Sequence, residues 1–175
     1  MANKDVKKRL MYLSGEDFYF YCYSALITLD YLKCKEGKYF KDYRKLAFII
    51  EFIKDKKLGY IISGKKGKSL NPIDKEYLFG SYSAGLSRRS EVLKLLFTLE
   101  KKNYIFLQKG GSQSEIDVSL NERSIPNNFF NKKLFAQEYN NIRIFCNNVS
   151  RLSVLRLDTM LNRVYEQNGI MTWDL

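Results

Sequence analysis

The stretch that most restricts the fold is Leu95–Leu120, LLFTLEKKNYIFLQKGGSQSEIDVSL. Val92, Leu95, Leu96 and Leu99 recur at i, i+3, i+4 and i+7, which is the apolar stripe of a helix. Beyond Asn103 the period changes to two. Ile105 and Leu107 alternate with Tyr104, Phe106 and Gln108, KGGSQS turns the chain, and Ile116, Val118 and Leu120 return it. A helix that runs straight into a hairpin is the outline of a winged helix. A short helix over Ile73 to about Ser81 and a turn at Ser83-Ala84-Gly85 would complete it, with Ser87 and Ser90 as candidate caps of the second helix.

The flanks are helical. Asp17 to about Lys33 carries Phe18, Tyr21, Cys22, Ala25, Leu29 and Leu32 at helical spacing, with Phe20, Ile27 and Tyr31 as a second stripe. Such a helix is apolar over most of its surface and belongs in the core. Phe40–Lys54 forms another, with Phe40, Tyr43, Leu46, Ala47, Ile50 and Ile53 on one face and Lys41, Arg44, Lys45, Glu51 and Lys54 left over as its polar side. Leu58–Ser63 reads as a short strand, and Tyr77 and Leu78 of the short helix point inward. After Pro126 two helices are expected, over Phe130–Val149 (with Leu134 and Phe135 on its apolar face) and from about Ser153, ended by Gly169. The expected fold is mainly α, of the α+β class: a winged-helix-like core with flanking helices and one β-hairpin. Residues 1–125 hold the helical pair and the winged-helix-like unit, and 126–175 a helical segment packed on it. At 175 residues the chain can bury a core without covalent staples.

The residue inventory excludes several chemistries. The chain has no histidine, which removes Ser-His-Asp and Cys-His catalysis and histidine-ligated metals. Its three cysteines form no C-x-x-C pair, so zinc ribbons and thioredoxin-like chemistry are out. Cys22 and Cys146 lie in apolar helical stretches and read as buried thiols. Glu115 and Asp117 are the nearest thing to a paired carboxylate site, but they alternate with Ile116, Val118 and Leu120 and read as a solvated strand face. Ser63–Ser69, SGKKGKS, imitates a phosphate-binding loop, yet the spacing would need glycine at position 62, where Ile62 stands, and Asn71-Pro72 interrupts the helix that should follow. No catalytic residue, metal or cofactor is expected. The longest apolar run, Leu46–Ile50, is far too short to span a bilayer, no signal-peptide core follows the basic start, and the expected location is the cytoplasm.

A net charge of +11 has two readings. It attracts phosphate, or it reflects an AT-rich genome, since Lys, Asn, Ile, Tyr and Phe are all heavily used. The candidate nucleic-acid contacts are Lys65, Lys66 and Lys68 of the loop, Arg88 and Arg89 at the start of the second helix of the unit, and Lys94, Lys101 and Lys102 along it. That helix also carries Glu91 and Glu100 and offers little Asn, Gln or Arg for base edges. Tyr104 and Phe106, on the strand face away from the core, are candidate partner contacts. Trp173 is a third, docked either on the body or on a partner.

One family resemblance emerges from the chain order. An apolar helix pair is followed by Ser81-Tyr82-Ser83-Ala84 leading to Arg88, then by Leu95-Leu96-Phe97-Thr98-Leu99-Glu100-Lys101-Lys102-Asn103-Tyr104 and a hairpin. The helical close carries Phe135, Glu138 and Asn141, then Arg151-Leu152-Ser153 and Asp158-Thr159-Met160. This pattern resembles the middle components of ABC-three-component systems, which include Lamassu-type bacterial defence. The resemblance implies a non-catalytic adaptor that seats on a DNA-sensing ATPase of the SMC and Rad50 type and holds an effector such as a nuclease, with non-specific DNA contact. The alternative is a winged-helix transcription regulator, which would bind a palindrome as a symmetric dimer.

Overall fold

The structure, a computed structural model, describes residues 2–64 and 68–173. It is mainly helical, with one two-stranded antiparallel sheet. The elements are α1 (Ala2–Tyr31), α2 (Arg44–Lys54), α3 (Lys56–Ser63), α4 (Pro72–Ser87), α5 (Arg89–Lys101), β1 (Ile105–Lys109), β2 (Ile116–Leu120), α6 (Ala136–Asn148) and α7 (Leu157–Val164). Among the described residues no helix is long and apolar enough to cross a membrane.

The centre is α2. Every residue from Lys45 to Ile53 is buried, and α1, α3, α4, α5, α6 and α7 all pack on it. A helix whose apolar residues spread over most of its circumference sits inside, and here it takes Lys45 and Glu51 in with them. It starts where the Asp42 side chain accepts from the Arg44 N–H at 3.1 Å, four residues later than Phe40. It stops at Asp55, whose extended backbone breaks the helix and whose carboxylate then caps α3 by accepting from Lys57 N at 2.9 Å. That shared capping residue explains why Leu58–Ser63 is helical and not a strand. Once α3 is nucleated, Leu58, Gly59 and Ile61 face inward, and Gly59 lets α3 approach Ile144 of α6.

α4 begins with Asn71 capping Asp74 N at 2.8 Å and Pro72 in the first turn. It runs through Ser83-Ala84-Gly85, where a turn was expected, because Gly85 lies against the ring of Phe48. Only Arg88 separates α4 from α5. That joint is shorter than the three or four residues of a helix-turn-helix. Ser87 does not cap α5, since its hydroxyl donates back to Ser83 O at 3.0 Å.

α5 and the hairpin follow the sequence closely. Val92, Leu95, Leu96 and Leu99 are buried, and β1 pairs with β2 in the register Ile105↔Leu120 through Lys109↔Ile116. The second edge of β2 is not free. Leu120 N donates to Cys34 O (2.7 Å), Phe40 and Val118 exchange both main-chain bonds (2.7 and 2.9 Å), and Tyr43 N donates to Ile116 O (2.8 Å). The α1–α2 connection therefore lies along this edge, through two isolated bridges, one parallel at Lys35 and one antiparallel at Phe40. It covers the polar side of β2, so Asp117 and Ser119 are buried, contrary to a solvated strand face.

Three helical segments end in the same six-residue capping motif. Cys34 N reaches Leu29 O, Tyr104 N reaches Leu99 O, and Ile170 N reaches Tyr165 O. The left-handed residue in each is Lys33 (φ 54°), Asn103 (φ 61°) and Gly169 (φ 81°). Gly169 ends the chain's last helical turn as its sequence position suggests. A left-handed residue with a Cβ costs about 1–2 kcal/mol, least for Asn.

The C-terminal helices are shorter than the periodicity suggests. α6 starts at Ala136, after a turn in which Leu134 is exposed while Phe129, Phe130 and Phe135 cluster beside Tyr23 of α1. The apolar core is one cluster from Tyr21 to Ile170. Phe18 and Tyr77, both expected inside, are partly exposed.

Candidate functional site

Arg88 and Arg89 begin α5, and both guanidinium groups turn toward the body. Arg88 stacks over Tyr21, 5.0 Å from the ring centroid, with its Nε 3.6 Å from Glu51 Oε1. Arg89 lies over Phe48 at 5.6 Å, and burial, then the neighbouring Arg44 charge, hold its guanidinium below the ordinary arginine value. They do not line up with Lys94, Lys101 and Lys102, which are exposed on a face shared with Glu91 and a half-exposed Phe97. Lys68 is exposed in the loop before α4. Lys65 and Lys66 lie outside the described residues.

Tyr104 and Phe106 separate. Tyr104 is half-buried and packs on the core, whereas Phe106 is 50% exposed. Phe106 stands on β1, which among the described residues is paired along one edge only. Trp173 docks on α4. Its indole meets the Tyr82 ring edge-on at 5.0 Å and lies 6.1 Å from Phe79. The main-chain N–H of Trp173 donates to the Tyr82 hydroxyl (3.1 Å), which donates in turn to Trp173 O (3.2 Å). Half of the indole remains exposed.

Beside Trp173 opens a cleft of about 620 Å³, whose walls include Lys41, Arg44, Glu115, Leu157 and Leu161. Most of its charges are already paired, and Glu166 accepts from the Asn162 amide and the Thr172 hydroxyl. Arg44 makes a two-pronged contact with Asp42 (2.8 and 2.7 Å) and lies 3.9 Å from Glu115. The buried Asp117 accepts from Lys41 Nζ (2.8 Å) and from the Asp42 N–H (3.0 Å). Asp117→Ala would strand the buried Asp42 N–H, whereas the half-exposed Lys41 ammonium can turn to water, and the change is expected to cost about 1–3 kcal/mol in urea unfolding. The change Asp117→Asn, which keeps an acceptor, should cost less.

Sequence reasoning missed Lys45, assigned above to the polar side of its helix. It is fully buried. Its ammonium donates to Leu152 O (2.6 Å) and Leu155 O (2.7 Å) and sits 4.3 Å from the Phe40 ring centroid. Burial lowers its pKa to about 8. The available signal was the number of apolar residues around α2, which leaves no outer face for Lys45 or Glu51.

Among the described residues no cluster of His, Cys, Asp or Glu could hold a metal ion. Burial raises the Cys22 and Cys34 thiols to about 11 and Cys146 to about 12, the opposite of an activated nucleophile. The arrangement consists of buried polar clamps at Asp117 and Lys45 and exposed aromatic side chains at Phe106 and Trp173. Comparison with protein-family models, curated proteins and solved structures finds no match for the chain.

Proposed function

We propose that this protein is a non-catalytic adaptor subunit that bridges a DNA-sensing, SMC-like ATPase and an effector in a bacterial antiphage or antiplasmid defence complex. The reading rests on the resemblance set out above. The observation that favours it over a DNA reader is Phe106, a large apolar side chain half in solvent on a strand whose outer edge is unpaired. An open strand edge beside an aromatic anchor suits a protein partner. The inward-turned Arg88 and Arg89 take two cations away from the end of α5 that a DNA reader would use.

The test combines affinity purification from the native host with the Phe106→Ala variant. The tagged chain is expected to bring down a coiled-coil ATPase. The Phe106→Ala change should weaken that association by about 2 kcal/mol, as at a binding hot spot, while the melting temperature stays near wild type because the side chain is half exposed. A symmetric homodimer that protects one palindromic operator would replace the adaptor reading with the regulator.

A further inference from the structure

Lys33 is the exception among the three left-handed caps. Asn103 and Gly169 are residue types that tolerate that backbone, and lysine is not. A cation does gain something from the C-terminus of α1, but Lys35 and Lys38 lie just beyond the same helix end and carry that charge without a left-handed backbone at either position. The loop that follows holds two more left-handed residues, Glu36 (φ 52°) and Gly37 (φ 85°). It is fixed in place by Ser119, whose hydroxyl donates to Lys38 O (2.8 Å) and Cys34 O (3.3 Å), and by the main-chain bonds to β2. Strained backbone in a rigidly held loop is a mark of function.

The loop borders a cavity of about 390 Å³ lined by Lys33, Lys38, Lys41, Gln108, Tyr39 and Ser153 among others, with no carboxylate in its lining. Lys41 is paired with Asp117, and Lys35 is turned aside to Glu122 at 2.6 Å. Lys33 and Lys38 are exposed and form no ion pair among the described residues. Asp30 and Glu36 each stand three residues from Lys33 in the chain, and neither lies in the lining.

We propose that this cavity seats a phosphate group of a nucleic-acid backbone, held by the Lys33 and Lys38 ammonium groups with the Gln108 amide donating beside them. Lysines act as compact point charges, which suits a phosphate approached from several directions better than a planar carboxylate. With a net charge of +11, the rest of the surface supports a long anionic polymer. The site differs from the basic loop at 64–69 and from the α5 face, and it does not require the ATPase.

Fluorescence anisotropy of the full chain with a labelled duplex of random sequence, titrated over salt concentration, tests it. In the K33G/K38Q double variant the slope of log affinity against log salt should fall by about two, roughly 0.9 for each lost phosphate contact, and by the same amount on unrelated sequences. The K33G variant alone should melt no lower than wild type, since glycine relieves the left-handed strain. Unchanged affinity and slope in the double variant would overturn the proposal. So would a wild-type chain that ignores the duplex at low salt, or a binding loss matched by a lowered melting temperature. A chain that takes up inorganic phosphate at Lys33 and Lys38, read from amide chemical shifts, yet ignores the duplex would overturn the nucleic-acid source.

Discussion

Gly85→Ala is expected to destabilise the protein by about 3 kcal/mol, near the upper end of what overpacking a core costs. The direction is informative, because alanine in a helix interior is otherwise favoured over glycine by about 1 kcal/mol. A Cβ on Gly85 would sit 2.8 Å from Phe48 Cε1 and 3.0 Å from Cγ, with Cδ1 closer still. Phe48 cannot retreat. Its ring is stacked on Tyr82 at 5.8 Å and edge-on to Tyr165 at 6.1 Å, and all three are fully buried. Gly80 in the same helix supplies the control, since a Cβ there would meet nothing within 4 Å. Gly80→Ala should therefore stabilise by up to about 1 kcal/mol. Urea unfolding of the two variants should give opposite signs, and a neutral or stabilising Gly85→Ala would mean that α2 and α4 do not cross where described.

Lys45→Ala is expected to cost about 3–5 kcal/mol, because it leaves a cavity and two buried carbonyls without a donor. Lys45→Met refills the volume and removes the buried charge, so it should cost distinctly less, although Leu152 O and Leu155 O still lose their partner. The pH dependence separates the charge from the hydrogen bonds. The Lys45 pKa is about 8 in the folded chain, below its ordinary 10.5. Between these values the unfolded chain holds a proton that the folded one has released, so unfolding takes up a proton. Stability therefore rises with pH across that window as the penalty on the buried ammonium is relieved. The neutral amine keeps two N–H donors for the two carbonyls. Wild type minus Lys45→Met, compared from pH 7 to about 9.5, should show this rise. Higher pH would mix in the buried Tyr165 and Tyr139, whose hydroxyls are pushed well above the ordinary tyrosine value, by burial first.

The hairpin and α5 were legible because their information is local. The period of Val92–Leu99 names the buried positions of α5, and the turn residues mark where the chain reverses; in the hairpin the period fixes the strands but not their burial, since Leu107 and Ile116 are half-buried while Asp117 and Ser119 are buried. α3 was not legible, since Leu58–Ser63 suits a strand by composition and becomes helical only through the cap at Asp55. The end of α4 was hidden for a related reason: Ser83-Ala84-Gly85 has turn chemistry, and only the ring of Phe48 shows that the glycine serves packing. Buried polar residues were the hardest to foresee. Asp117 finds Lys41 at a separation of 76 residues, and Lys45 finds Leu152 at 107, so no window along the chain contains both partners. The arginines misled for the same reason, because Glu51, Tyr21 and Phe48 come from elements far from Arg88 and Arg89.

Lys45 has a consequence for synthesis. The most deeply buried helix of the protein emerges early from the ribosome, but the carbonyls that complete its ammonium follow more than a hundred residues later. Tyr82 likewise waits 91 residues for the main chain of Trp173. Until residues 152–155 are available, closing α2 into the core would bury the Lys45 ammonium without its carbonyl acceptors.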